Sequence, residues 1–288
     1  GVAAYKVNGV TASLGGQVDR SSLPSAMVDS ALRRIASPQQ RRLRTAAMRT
    51  RSLAQLPALS TQYVKAMAGA TTKAAAFTVN AFMPDGIAGT LFFQKHDQPV
   101  SIPGLRELDP ALWPGHAALL EVPSADALLN AVQMNVIEFH TWNATTKKID
   151  RPDRVVFDLD PGEGERWERV QEAATLVRGL LQELGLESWL KTSGGKGLHV
   201  VVPLVPRDDW DTVKAFAQAA VQHLARVIPQ RFTAKMGAAN RVGKLFVDYL
   251  RNNHGATTAA AFSARSRPGL GVSMPIAWDD LATLKRSD

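Results

Sequence analysis

An α/β (α+β) domain built on a split βαβ sheet is what the second half of this sequence predicts, on three observations. Residues 154–250 read in the order strand–helix–strand–strand–helix–strand, which is the ferredoxin-like arrangement. Both helical stretches carry an apolar stripe at helical spacing, so each has one face to bury against a sheet. The first strand is apolar until it ends on Asp158 and Asp160, immediately before Pro161-Gly162. Side chains alternate faces along a strand, so the two carboxylates share one face, roughly 7 Å apart.

Taken in order, residues 1–23 are Gly- and Ser-containing and weakly patterned. Residues 24–56 predict helix, broken near Ser37-Pro38 and stopped before Pro57, and residues 58–76 a third helix with Tyr63, Met67 and Ala70 on one side. Phe77–Phe82 alternates as a strand, and Pro84-Asp85-Gly86 is a turn signal. Leu91–Lys95 reads as another strand. Its adjacent Phe92 and Phe93 face opposite sides. An exposed Phe beside Lys95 suits base stacking, worth about 1–3 kcal/mol, although such a pair is more often core. Residues 97–125 are rich in Pro and Gly, which predicts a long ordered loop of the kind that usually carries function. A short helix near Ala125–Gln133 leads into an apolar strand, Val136–Trp142, that contains His140. A lone histidine on a strand is usually structural.

From residue 154 the pattern sharpens. After the Asp-Leu-Asp strand, Trp167, Val170, Ala174, Val177, Leu181 and Leu184 form one helical stripe, ended by Gly185. A strand over Ser188–Thr192, the turn Ser193-Gly-Gly-Lys-Gly197 and a strand over Leu198–Pro203 follow. The next helix starts with Asp208 as its N-cap, presents Trp210, Val213, Ala217, Ala220 and Leu224, and stops before Pro229. The last strand is Lys244–Leu250. In this topology the first strand lies between the third and the fourth, so Asp158, Asp160, His199 and Asp248 converge. Unpaired carboxylates are costly to bury. Three of them suit a hard divalent cation, and two cations about 3.5–4 Å apart drive in-line phosphoryl chemistry. The glycine-rich turn lets backbone N–H groups approach phosphates, with Ser193 and Lys196 adding a donor and a charge. It is not a P-loop, because it joins two strands. By itself it also reads as a flexible hairpin.

Composition bounds the function classes. At 288 residues with 45% hydrophobic and 21% charged side chains, the chain is an ordinary globular protein of one large domain or two small ones. No apolar run approaches spanning length and no signal peptide precedes Gly1, which predicts a cytoplasmic protein without a membrane partner. The absence of an initial Met fits a piece of a longer chain. Without cysteine there are no disulfides, thiolate catalysis or Cys-based zinc sites. The net charge of +8 is uneven: Ser30–Pro84 holds nine Lys and Arg and no acid, while residues 85–288 sum to −1. That block predicts a polyanion partner, the alternative being a solvated helix face. If helical, it sets Arg41, Arg42 and Arg44 on a basic surface wide enough to follow a DNA backbone.

Five motifs in sequence order, Leu91–His96, Ile137–Trp142, Phe157–Gly162, Thr192–His199 and Arg241–Asp248, resemble the polymerase domain of bacterial DNA ligase D. That family lies in the archaeo-eukaryotic primase superfamily and works with Ku in bacterial non-homologous end joining. The resemblance spans about residues 84–288. It implies one primase-type polymerase domain, with an N-terminal helical/β lobe (1–153) and a palm-like catalytic lobe (154–288). It implies Asp158, Asp160 and Asp248 as a catalytic triad for two divalent cations, manganese or magnesium. Ser193, His199 and Arg265 resemble contacts to the incoming nucleotide's phosphates, and His140, Arg241 and Lys244 further nucleotide-site residues. Phe92 and Phe93 resemble aromatics that stack near the templating base, and the loop over 97–120 a region that brings DNA ends together. The implied partners are DNA ends (double-strand breaks, gapped or overhanging), ribo- and deoxyribonucleoside triphosphates, Ku, and ligase and nuclease domains of a parent chain at the bacterial nucleoid. The N-terminal third departs from the pattern. Ala74–Phe82 stands where the family has an Arg-Pro-containing basic strand, and the lysines that grip a recessed 5′-phosphate have no counterpart.

The expected activity is therefore DNA-directed nucleotidyl transfer to a 3′ end. Two rivals remain: a haloacid dehalogenase-like phosphatase, which opens with the same Phe-Asp-Leu-Asp but sets it in a parallel sheet, and a DNA-end-binding module without catalysis.

Overall fold

The computed structural model describes residues 101–288, Asn135 excepted, together with the backbone of β1 (Ala4–Val7), β2 (Val10–Ser13), β3 (Phe77–Phe82) and β4 (Phe92–Gln94). The helices expected over 24–76, with Arg41, Arg42 and Arg44, lie outside the described residues, as does Lys95. β1 and β2 pair antiparallel in a stretch where the sequence showed no strand pattern. Then follow β5 (Arg106–Glu107), β6 (Leu120–Glu121), α1 (Ala125–Gln133) and β7 (Val136–Thr141). The expected long loop thus contains paired strands β5 and β6 and a 3-10 turn at Pro110–Leu112, started by Asp109 accepting the Ala111 amide at 2.9 Å.

The second half holds β8 (Arg154–Pro161), α2 (Trp167–Glu183), β9 (Trp189–Thr192), β10 (Leu198–Pro203) and α3 (Trp210–Val227). After these come β11 (Phe232–Thr233), β12 (Leu245–Asp248), β13 (Thr258–Ala259) and β14 (Pro275–Ile276). Their sheet runs β11-β12-β8-β10-β9-β14. Its inner four strands are in the split βαβ order, with the first between the third and the fourth. β8 is antiparallel to both β10 and β12, which excludes the parallel sheet of the phosphatase rival.

Two boundaries differ from expectation. The cap of α3 is Asp209 and not Asp208, because it is the Asp209 carboxylate that reaches the Thr212 amide, at 2.9 Å. β12 stops at Asp248 and not at residue 250, because the chain turns into a 3-10 segment at Leu250–Asn252.

Alternation along the strands divides this sheet by chemistry. Val155, Phe157 and Leu159 of β8, Val200 and Val202 of β10 and Val247 of β12 form one core with the stripes of α2 and α3. Each fully buried aliphatic or aromatic side chain contributes about 1.5–3 kcal/mol, so the two helices fix this face. The intervening positions, Asp158, Asp160, His199, Asp248 and Lys191, fall on the opposite face. The second sheet runs β13-β7-β3-β6-β5, with β4 also on β3. Its cores are two smaller clusters, one around Ile102, Val136 and Phe139 and one around Trp142 and Trp210. No helix among the described residues is long and apolar enough to cross a membrane.

Candidate active site

One cross-strand row organises the polar face. Asp248 is paired with Asp158, Asp158 with His199, and His199 with Lys191, across β12, β8, β10 and β9. Neighbouring strands are about 4.8 Å apart, so backbone register alone gathers four ionisable side chains that are up to ninety positions apart in sequence. Asp160 stands one pleat further along, opposite Phe246.

Arginines compensate these acids. Arg251 Nε lies 3.4 Å from Asp158 and 3.3 Å from Asp248. Arg241 bonds Asp160, and its guanidinium sits 4.8 Å from the centre of the Phe246 ring. The His199 Nε2 atom is 3.4 Å from Asp158, while its buried Nδ1 has no hydrogen-bond partner among the described residues. Burial pushes the Asp158 carboxyl up to about 6; Arg251 opposes the shift and Asp248 and Asp160 add to it. Burial likewise holds the Lys191 amine down to about 7 and the His199 imidazole well below its ordinary range.

Among the described residues no three His, Asp or Glu side chains close around one point as metal ligands, because Asp160 turns to Arg241 and Arg251 stands between Asp158 and Asp248. The donor set nevertheless fits hard divalent cations. It is all oxygen on the polar face of the sheet, and the repulsion from Asp248 and Asp160, which adds to the effect of burial on Asp158, is what a cation would relieve.

The glycine-rich turn packs tightly under this row. A Cβ at Gly197 would lie 2.1 Å from the Leu159 carbonyl oxygen, so no side chain fits there. The Ser193 hydroxyl accepts the amides of Gly195 and Gly197 at 3.2 and 3.1 Å and also meets Ser287, so it closes the turn on itself. Lys196 is exposed at the tip. Arg265 joins the turn to the second sheet: Nη1 donates to the Ser193 carbonyl at 2.6 Å and Nε to Glu138 at 2.8 Å. His140 Nε2 is 2.5 Å from the same Glu138 oxygen, and the Ser266 amide donates to the other at 2.8 Å. Glu138 is 8% exposed. Burial would raise its carboxyl, but these donors and the Arg265 charge hold it at about 2. Lys244 is half-buried, with its amide on the Arg241 carbonyl at 3.0 Å. Phe92 and Phe93 lie on β4, opposite Phe82 and Asn80 of β3.

Sequence reasoning missed four residues here. Glu138 was within reach, because it lies two positions before His140 and so on the same strand face. Lys191 had the same kind of signal, a position across the five-residue turn from His199. Arg251 and Asn252 had none. Asn252 is fully buried. Its side chain accepts the Val156 amide at 2.8 Å and donates to the Val156 and Tyr249 carbonyls at 2.8 and 3.0 Å. It thus takes the place of a strand neighbour beside β8, two residues before Asp158.

A family model described as the LigD primase-polymerase domain matches residues 61–288. The chain is 58% identical over 202 residues to the multifunctional non-homologous end joining protein LigD of Pseudomonas aeruginosa, covering 70% of this chain and 24% of that protein. It is 33% identical over 201 residues to the protein of the same name in Mycolicibacterium smegmatis, covering 69% and 26%. The chain therefore spans about a quarter of the length of these relatives. Among solved structures, the polymerase domain from Mycobacterium tuberculosis ligase D in complex with DNA superimposes with a TM-score of 0.68 at 29% identity, covering 78% of this chain and 82% of that one.

Proposed function

The chain belongs to the LigD primase-polymerase domain family, and from that premise we propose that it is a DNA-directed nucleotidyltransferase that adds nucleotides to 3′ ends during bacterial non-homologous end joining. The observation that carries this reading is the register row Asp248–Asp158–His199 lying beside the Ser193–Gly197 turn. Acids for a phosphoryl-transfer site and donors for a triphosphate are thereby set side by side.

Asp158, Asp160 and Asp248 would hold two divalent cations, manganese or magnesium. When bound, these supply Lewis-acid stabilisation of the attacking 3′-oxygen and the departing pyrophosphate. The chain's own residues do the positioning. Lys196, Arg265, His140, Ser193 and His199 face the triphosphate, with Glu138 aiming two of them. Arg241 and Lys244 flank it next to Asp160. Arg251 lies beside both Asp158 and Asp248 and opposes the upward shift that burial imposes on Asp158. Phe92, Phe93 and Lys95, with the basic stretch at Arg41, Arg42 and Arg44, are assigned to DNA.

We keep residues 1–153 and 154–288 as two lobes of one domain, a reading supported by β13 of the second pairing with β7 of the first. DNA ends, nucleoside triphosphates and Ku are the assigned partners, with ligase and nuclease domains in the parent chain and work at the bacterial nucleoid. The test is incubation with a primed template, a labelled nucleotide and manganese. Primer extension by the wild type and none by Asp158→Ala supports the reading. A wild type that binds DNA but adds nothing would instead make it an end-binding module. Faster addition of ribonucleotides than deoxyribonucleotides is expected in the same assay.

A further inference from the structure

Remote from the carboxylates, the turn joining β7 to β8 forms one wall of a cleft of ≈ 610 Å³, with Leu112 and Pro206-Arg207 on the other sides. Lys147, Lys148, Arg151 and Arg207 line it, against the single acid Asp150. All four cations are exposed, and none makes an ion pair among the described residues. Lys148 Nζ reaches the Pro206 carbonyl at 3.4 Å and ties the walls together. The neighbouring Asp209 carboxylate caps α3 and feels the charge of Arg151. Residues 85–288 together carry −1, so four cations on one cleft are a local concentration and not the average of the surface.

Apolar packing backs this charge. Leu112 and Ile149 lie in the same cluster as Trp113, Trp142 and Trp210, and the Trp210 indole donates to the Ile149 carbonyl at 2.9 Å. His116 stacks on Trp113 at 3.7 Å with 7° between the planes, and its ring is on the exposed side. Four exposed cations along one cleft fit the phosphates of a nucleic-acid strand. An acidic peptide would meet the same charge, and competition by polyglutamate separates the two.

Position separates this cleft from the nucleotide site. Pro203 pairs with Arg154 at the far end of β8 from Asp158, and four strand residues span about 13 Å. With one phosphate per about 3.4 Å of each duplex strand, that is about four base pairs. We propose that the cleft binds the phosphodiester backbone of DNA about four base pairs or more from the reacting end. The choice of DNA as occupant rests on the function proposed above, but the binding is measured without nucleotide addition.

The test is equilibrium binding of the whole chain to a labelled blunt duplex and to a labelled single strand of equal length, over a salt series. The variants are Lys147→Glu/Arg207→Glu and the milder Lys148→Gln/Arg151→Gln, each with a melting curve. Each lost phosphate contact removes about 0.9 from the log–log salt slope. The reversal variant should therefore bind about tenfold or more weakly and lose about two from the slope while melting as the wild type does. Loss on the duplex assigns the cleft to the flanking double helix, and loss on the single strand to an overhang; either supports the proposal. Unchanged affinity and slope in both variants overturns it. Displacement of bound DNA by polyglutamate as effectively as by unlabelled DNA overturns the choice of nucleic acid. A wild type that fails to extend primers but shows these binding losses would sink the function proposed above and leave the cleft standing.

Discussion

The two sheets place their polar residues by different means. In the sheet centred on β8, two helices bury one face, and pairing over four to six residues among β9, β10, β8 and β12 fixes the register of the polar row. Asp158, Asp248, His199 and Lys191 are where they are because the backbone is where it is. In the sheet centred on β7 the core is divided between two clusters. Its contribution, Glu138 and His140, is held by side-chain hydrogen bonds that reach across to Arg265. Register-placed groups should tolerate removal of a neighbour without moving, whereas bond-placed groups should not.

The strongest challenge to that contrast is removal of the acids. Asp158→Ala or Asp248→Ala should lower nucleotide addition on the order of 10³-fold, because several kcal/mol of transition-state stabilisation goes with the cation site. The fold should be unharmed, since both acids lie on the face away from the helices. Asp158 also gives a signed pH test in metal-free buffer. Its folded pKa is raised from 3.8 to about 6, so its favourable contribution is complete below 3.8 and lost as pH rises through 6. Asp158→Asn should therefore be more stable than the wild type at pH 7, with the difference shrinking as pH falls towards 4. Differential scanning at both pH values reads it, and a destabilised Asn variant at pH 7 contradicts it.

Glu138 tests the bond-placed side. Glu138→Ala leaves Arg265 and His140 without their shared acceptor, and breaking a buried charged pair costs about 3–5 kcal/mol. The KM for nucleotide should rise by about tenfold, with DNA affinity unchanged and a partial return in Glu138→Gln, which keeps one acceptor oxygen. A purely structural role would lower kcat and stability together and leave the KM alone. The depressed pKa, from 4.5 to about 2, supplies stability that is present above 4.5 and lost as pH falls towards 2. The Gln variant should lack that acid-limb loss.

Asn252→Ala sharpens the contrast further. It strands a buried amide and carbonyl of Val156, at a cost of about 1–3 kcal/mol. If register alone places Asp158, addition at saturating nucleotide should stay within a few-fold at temperatures well below melting. A loss comparable to that of an acid variant would show that the side chain, and not the sheet, sets the Asp158–Asp248 spacing. The smallest effect is expected from Asp209→Ala, which removes the α3 cap for about 1 kcal/mol and should leave addition untouched, as both melting and extension assays can show.

These contrasts also explain what could be read from the sequence. Strand order, core stripes and the convergence of Asp158, Asp160, His199 and Asp248 follow from alternation and helical spacing, which are local patterns with long-range consequences. Glu138, Lys191, Arg251 and Asn252 take their meaning from partners about sixty to one hundred and thirty residues away in sequence, at Arg265, Ala259, Asp158 and Val156. A buried asparagine standing in for a strand neighbour looks in sequence like any loop asparagine. The α3 cap was misplaced by one residue because Asp208 and Asp209 are alike in type, and only reach distinguishes them.

The split order has a kinetic consequence. β9 and β10 are joined by a five-residue turn and can pair early, whereas β8 must wait for β12, some ninety residues later, before Asp158 meets Asp248. Closing a loop of that length is entropically expensive and delays the contact. The acids therefore come together only when the sheet is complete. A chain still emerging from the ribosome, or caught partly folded, would present the Ser193–Gly197 turn without the carboxylate pair, and on the function proposed above could not extend a DNA end before these strands had paired.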